Sequence, residues 1–94
     1  MNGNRALTEQ QRREIGDRIR SLRKRNGLSQ EDLALELGLN PSSLQAIEAG
    51  RSELKVSTLL AISDFFRVST DWLLKGKDVV SFNSGYKITL EYVQ

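Results

Sequence analysis

Polar and apolar positions along this chain keep a helical rhythm for most of its length and then change to a strand rhythm. Thr8, with Gln11 three residues on, has the form of a capping box, in which side chains satisfy the free amides of a helix start. Ile15, Ile19 and Leu22 recur on one stripe behind it, and Asn26-Gly27 ends the segment. Ser29 with Asp32 is a second capping box. Leu33, Ala34 and Leu37 form its apolar stripe, and Gly38 suits the left-handed conformation that closes a helix. Asn40 is an N-cap candidate followed by Pro41 at the first helical position, where no amide donor is needed. Leu44 and Ile47 are the inward positions of this third helix, and Gly50 ends it. Val56, Leu59, Leu60, Ile62, Phe65 and Phe66 predict a fourth helix with much of its surface buried. Ser69 then caps a short fifth helix carrying Trp72, Leu73 and Leu74 and ending at Gly76. Connections this short predict a compact five-helix domain over residues 9–76.

After Lys77 the period becomes two. Val79 to Phe82 precede the turn signal Asn83-Ser84-Gly85, and Tyr86, Ile88, Leu90 and Tyr92 then alternate with Lys87, Thr89, Glu91 and Val93. This predicts a β-hairpin or strand extension over residues 77–94 on a mainly α fold. Two strands alone are marginal and leave edges unpaired. The extension therefore packs on its own helices, pairs with a second copy, or binds another protein. Residues 1–8 are polar and glycine-containing and read as a flexible arm, in which Arg5 is a phosphate-seeking candidate.

Ninety-four residues suit one domain with a modest core. The chain has no cysteine and no histidine, which excludes disulfides, thiolate or imidazole metal sites, thiol nucleophiles and imidazole acid–base chemistry. No glycine-rich phosphate loop is present either, so no enzyme, cofactor or metal is expected. Without a membrane-length apolar run or a signal peptide, the expected location is the cytoplasm. The formal charge of +2 says little, but its distribution says more. Arg5, Arg12, Arg13, Arg18, Arg20, Arg23, Lys24 and Arg25 crowd the N-terminal quarter against Glu9, Glu14 and Asp17. Such an excess attracts a polyanion through counterion release. It equally describes a solvated helix face with local pairs such as Glu14–Arg18.

The segment from Leu28 to Gly50 joins two short helices across a tight turn, the second with small polar residues outside. This is a helix-turn-helix, the arrangement that lets a second helix enter the DNA major groove. Three stretches, IGDRIRSLRKRNGLSQEDLALELGL, SSLQAIEAGR and STLLAISDFFRVSTDWLLKG, stand in the order and spacing of a known family. Between Ile15 and Gly76 the chain resembles the XRE family of helix-turn-helix regulators, which includes the phage Cro and repressor proteins.

The resemblance implies a bacterial or phage transcriptional regulator, a repressor by preference. It would bind double-stranded DNA as a homodimer on a palindromic operator, with the third helix in the major groove. Carried onto this chain, it places Gln30, Pro41, Ser42, Ser43, Gln45 and Ala46 toward the bases. It places Arg23, Ser29, Asn40, Arg51, Ser52 and Lys55 toward phosphates. Arg23 and Glu48 resemble a family pair that braces the recognition helix and aims the guanidinium at a phosphate. Trp72 is a family marker expected in the core or a dimer interface; beyond the family core, the extension is expected to bury Tyr86, Ile88, Leu90 and Tyr92 against a partner subunit. The chain departs from a strong reader, because only Gln45 among the outer residues of helix three has a long amide. Glu53, in the loop expected to face phosphates, is also unfavourable. The alternative function is an antitoxin or anti-activator whose residues 78–94 capture a protein partner.

Overall fold

The computed structural model describes residues 6–77, which form five helices: α1 Glu9–Arg25, α2 Gln30–Leu37, α3 Pro41–Glu48, α4 Val56–Phe66 and α5 Thr70–Lys75. Arg5 and the expected hairpin, with Tyr86, Ile88, Leu90 and Tyr92, lie outside the described residues.

The helix starts follow the local chemistry. Thr8 Oγ1 accepts from the Gln11 amide at 3.0 Å, while Gln11 Oε1 accepts from the Thr8 amide at 2.9 Å. Ser29 and Asp32 repeat the exchange at 2.9 and 3.1 Å. Ser69 Oγ caps α5 through the Trp72 amide at 2.9 Å. Pro41 opens α3, and Asn40 holds the N-cap position without a side-chain hydrogen bond. Gly38 ends α2 in the left-handed conformation.

Each helix sends one fully buried side chain into the centre: Ile19 from α1, Leu33 from α2, Leu44 from α3, Ile62 from α4 and Leu73 from α5. Ile15, Leu22, Ala34 and Ile47 complete the buried cluster, and Trp72 packs half-buried against it. α1 is the central strut, packed against α3 and α5, while α2 rests on α3 and α4. Gly16 makes the first of these contacts possible. A Cβ there would lie 2.5 Å from the Ile47 carbonyl oxygen and 2.6 Å from that of Glu48. The last turn of α3 thus lies directly on the backbone of α1. Gly50, at φ +77°, turns the chain away immediately afterwards, and a Cβ there would meet Arg13 at 2.9 Å.

Two expectations need correction. Helix α4 is not largely buried: Val56, Leu60 and Phe65 are 71%, 52% and 42% exposed, while Thr58 and Ile62 face the core. Its periodicity is correct, but α4 stands at the edge of the helical unit, and its outer side meets no other described helix. The Glu14–Arg18 pair also does not form. Glu14 accepts from Gln10 Nε2 at 2.8 Å, and Arg18 donates to the Leu73 and Leu74 carbonyls at 2.8 and 3.0 Å. A helix C-terminus leaves carbonyls without partners, so the end of α5 draws the guanidinium away from its helix neighbour.

Gly16→Ala is expected to destabilise the domain by about 1–3 kcal/mol, because the rigid α3 backbone cannot move aside without opening the core. Chemical denaturation against wild type measures this. The Asp32 carboxylate gives a pH signature. Hydrogen bonds from the backbone and side chain of Ser29 hold its pKa below the ordinary 3.8. Its contribution is therefore complete above the ordinary value and lost as pH falls through the lowered folded value. Thermal melts across the acid range should show a shallower acid limb for Asp32→Asn than for wild type.

Candidate nucleic-acid interface

The last residue of α3 is a glutamate, an unfavourable charge at the negative end of a helix dipole. The fold resolves this with a buried arginine. Arg23 Nε donates to Glu48 Oε2 at 2.7 Å and Nη2 to Oε1 at 2.9 Å, a two-bond fork between α1 and α3. Arg23 Nη1 donates to the Leu28 carbonyl at 2.9 Å, tying in the chain that leads into α2. Gln30 Nε2 adds a third bond to the carboxylate, at 3.0 Å to Oε1. Arg23 is 8% and Glu48 5% exposed, so solvent contributes little to either charge. The bond to Glu48 raises the Arg23 pKa further above its already high ordinary value, and the guanidinium stays charged throughout. One carboxylate thus fixes α3 to α1 and to the first residue of α2. It also sets the Gln30 amide, with nitrogen toward Glu48 and oxygen turned away.

This tie leaves the opposite side of α3 open. Pro41, Ser42, Ser43 and Gln45 are exposed, Ala46 is half-buried, and Leu44 and Ile47 are inside. A cleft lies on either side of the helix. The first, of about 520 Å³, brings together Ser29, Gln30, Gln45 and Arg51 with Arg20 of α1. The second, of about 420 Å³, gathers Ser42, Ser43, Ala46, Ser52 and Lys55, with Glu53 among them. Asn40 and Pro41 stand at the N-terminal tip of α3 and line neither cleft. Trp72 lies apart from this surface, in a groove between α1 and α5 beside Arg18 and Arg25. Arg23 belongs to the floor of the first cleft, with three guanidinium donors already directed inward.

Arg20 is a member of this surface that the sequence reading did not single out. It is exposed, makes no hydrogen bond or ion pair among the described residues, and lines the cleft opposite Arg51. The available signal was its spacing. It precedes Arg23 by three residues, which puts both on one side of α1. Chemically, the surface presents cations, hydroxyls and amides around a helix with short side chains; of its two acidic members, Glu48 is paired with Arg23 and Glu53 accepts from the Leu7 backbone amide. Among the described residues there is no His, Cys, Asp or Glu group able to hold a metal ion, and no helix long and apolar enough to cross a membrane.

Glu48→Ala should cost about 3–5 kcal/mol, because it leaves the Arg23 guanidinium buried with neither a counter-charge nor an acceptor for two of its donors. Glu48→Gln, which keeps an acceptor for one arginine donor, should cost clearly less. Urea unfolding of the two variants distinguishes a buried brace from a surface pair, whose loss would register at most about 1 kcal/mol.

Comparison with known proteins agrees with this geometry. A family model described as helix-turn-helix matches residues 19–73. The SPbeta prophage-derived uncharacterized HTH-type transcriptional regulator YonR of Bacillus subtilis is 38% identical over 62 residues, covering 66% of this chain and 57% of that protein. The HTH-type transcriptional regulator ImmR of the same organism is 36% identical over 67 residues, covering 71% of this chain and 52% of that protein. The chain thus spans a little over half the length of these curated relatives. Among solved structures, the P22 c2 repressor, crystallised with a synthetic operator, superposes with a TM-score of 0.64. It shares 33% identity, covering 67% of this chain and 96% of that one. The restriction-modification controller protein C.AhdI of Aeromonas hydrophila gives 0.62 at 31% identity, covering 66% and 94%. With the helix pair across its tight turn, the braced third helix and the family match in agreement, this chain belongs to the helix-turn-helix family, in its XRE, phage-repressor-like branch.

Proposed function

We propose that this protein is a DNA-binding transcriptional regulator that inserts α3 into the major groove and binds a palindromic operator as a homodimer. The observation that carries the reading is the open face of α3. It is held rigidly from behind by Arg23, Glu48 and Gln30, and flanked by clefts bearing Arg20, Arg51 and Lys55. Relatives bearing the name of transcriptional regulator, and the likeness to a repressor solved on operator DNA, support it.

In this reading Arg20, Arg51 and Lys55 take phosphates, joined by Ser29, Ser52 and the exposed amides near Asn40. Arg23 acts as the brace. Pro41, Ser42, Ser43, Gln45, Ala46 and the outward oxygen of Gln30 face the bases. Serine hydroxyls bond to several bases, and Ala46 and Pro41 offer only apolar contact to a thymine methyl, so direct readout per half-site is thin. DNA shape and the fixed spacing of two half-sites, about 34 Å apart, supply the remaining selectivity. Residues 9–76 form the DNA-binding domain, and residues 77–94, with Tyr86, Ile88, Leu90 and Tyr92, join Trp72 in dimerisation. Repression, by occupying a site that overlaps a promoter, is the output proposed.

The test is a set of fluorescence anisotropy titrations across salt, on a duplex selected from a random pool. Wild type should bind with a steep negative salt slope. Arg20→Ala and Arg51→Ala should weaken binding evenly across duplexes and each reduce the slope by about one. Point changes along the selected duplex should give losses spread over many positions. Large losses confined to two or three major-groove positions per half-site would contradict the thin-readout reading, and a flat salt response would contradict DNA binding itself.

A further inference from the structure

Glu53 is an acidic residue in the loop after α3, between Arg51 and Lys55, where a carboxylate facing DNA would repel phosphates. It lines the second cleft with Ser52 and Lys55, but one of its oxygens is committed to a backbone amide. Its Oε2 accepts from the backbone amide of Leu7 at 2.7 Å, across 46 residues of sequence. The Leu7 carbonyl in turn accepts from Arg12 Nη1 at 2.9 Å, and Arg12 Nε donates to the Gly50 carbonyl at 2.9 Å. Leu7 is itself anchored, since its side chain packs against the core, as does that of Leu54 next to Glu53. The result is a closed clasp of Leu7, Arg12, Gly50 and Glu53. It grips the loop at Gly50 through a carbonyl and at Glu53 through a carboxylate. Between the two grips stand Arg51 and Ser52, both exposed and without a side-chain hydrogen bond or ion pair among the described residues.

We propose that Glu53 and Arg12 are positioning residues for DNA binding, which clasp the α3–α4 loop onto the start of the chain and so hold Arg51 and Ser52 in register with the DNA backbone. This rests on the DNA-binding reading above and goes beyond it, because neither residue need touch DNA. An exposed loop with a free arginine at its tip samples many directions, and a phosphate contact must freeze them. Two ties to a segment packed on the core remove most of that freedom before binding, which strengthens each phosphate contact without adding one. The acidic charge is partly offset, because one Glu53 oxygen accepts from a backbone amide and Lys55 lines the same cleft.

Glu53→Gln and Glu53→Ala separate this role from simple charge. Both remove the negative charge, but only glutamine keeps an oxygen for the Leu7 amide. Titrations across salt with the full chain should show Glu53→Gln binding at least as tightly as wild type. Glu53→Ala should bind about fivefold more weakly than Glu53→Gln, the worth of one ordinary hydrogen bond. Its salt slope should be smaller by about one, the signature of a lost phosphate contact and not of lost stability. Arg12→Lys, which keeps charge but cannot bridge Gly50 and Leu7 together, should show the same reduced slope. Hydrogen exchange in the free protein should find the Leu7 amide protected in wild type and Glu53→Gln and unprotected in Glu53→Ala. If wild type binds and the two Glu53 variants match in affinity and slope, the proposal is overturned while the DNA reading stands. If wild type binds no duplex, the DNA reading falls and takes this proposal with it.

Discussion

A carboxylate and a guanidinium removed from water must satisfy each other almost completely, or the fold does not tolerate them. Arg23 and Glu48 meet that demand with a two-bond fork, a backbone carbonyl and an amide from Gln30. Everything around α3 follows from this constraint. Its C-terminal end has one position relative to α1, and Gly16 opens the space for it, since any side chain there would strike the Ile47 and Glu48 carbonyls. Its N-terminal end is aimed outward because the inward residues, Leu44 and Ile47, are committed to the core. Such a pair need add little net stability over apolar packing. What it adds is direction, because hydrogen-bond geometry tolerates far less rotation than contacts between methyl groups.

Direction matters more here than in a helix with long reading side chains. A serine or alanine at the surface of α3 has no reach with which to compensate for a tilted helix. A reader built from Ser42, Ser43 and Ala46 depends on where the helix axis lies and on how firmly the flanking cations are held. In the proposed function, the brace behind α3, the clasp on the following loop and the cations Arg20 and Arg51 therefore form one design. In that proposal the framework is rigid, the backbone contacts are strong, and base discrimination is left to half-site spacing and DNA shape.

Local features were legible in the sequence and long-range ones largely were not. The capping boxes at Thr8 and Ser29, the stop at Gly38 and the inward positions Leu33, Leu44 and Ile47 depend on residues three or four apart, and all stand where the pattern put them. Helix α4 shows the limit: periodicity tells which faces of a helix are apolar, not whether another element covers them. Arg18 shows a second limit. Its helix neighbour Glu14 was a reasonable partner until α5 brought two unpartnered carbonyls within reach. The Arg23–Glu48 pair was visible only through family resemblance, because nothing in the spacing of residues on different helices announces a contact. Gln30 completing that pair, Arg20 joining the cleft and Glu53 turning back to Leu7 required coordinates. So did Gly16, whose place inside a helix reads as a cost until the α3 backbone is seen against it.

The central claim is that the buried ion pair aims α3 for DNA and is not mainly a source of stability. Replacing both partners at once, with Arg23→Met and Glu48→Met, tests it most directly, because methionines fill the space without leaving a charge unpaired. Stability by urea unfolding and affinity for the selected duplex are measured on the same protein. The account predicts a double variant at least as stable as one retaining the pair, to within about 1 kcal/mol, yet binding DNA at least tenfold more weakly. A double variant that folds as well and binds DNA as tightly as wild type would contradict it.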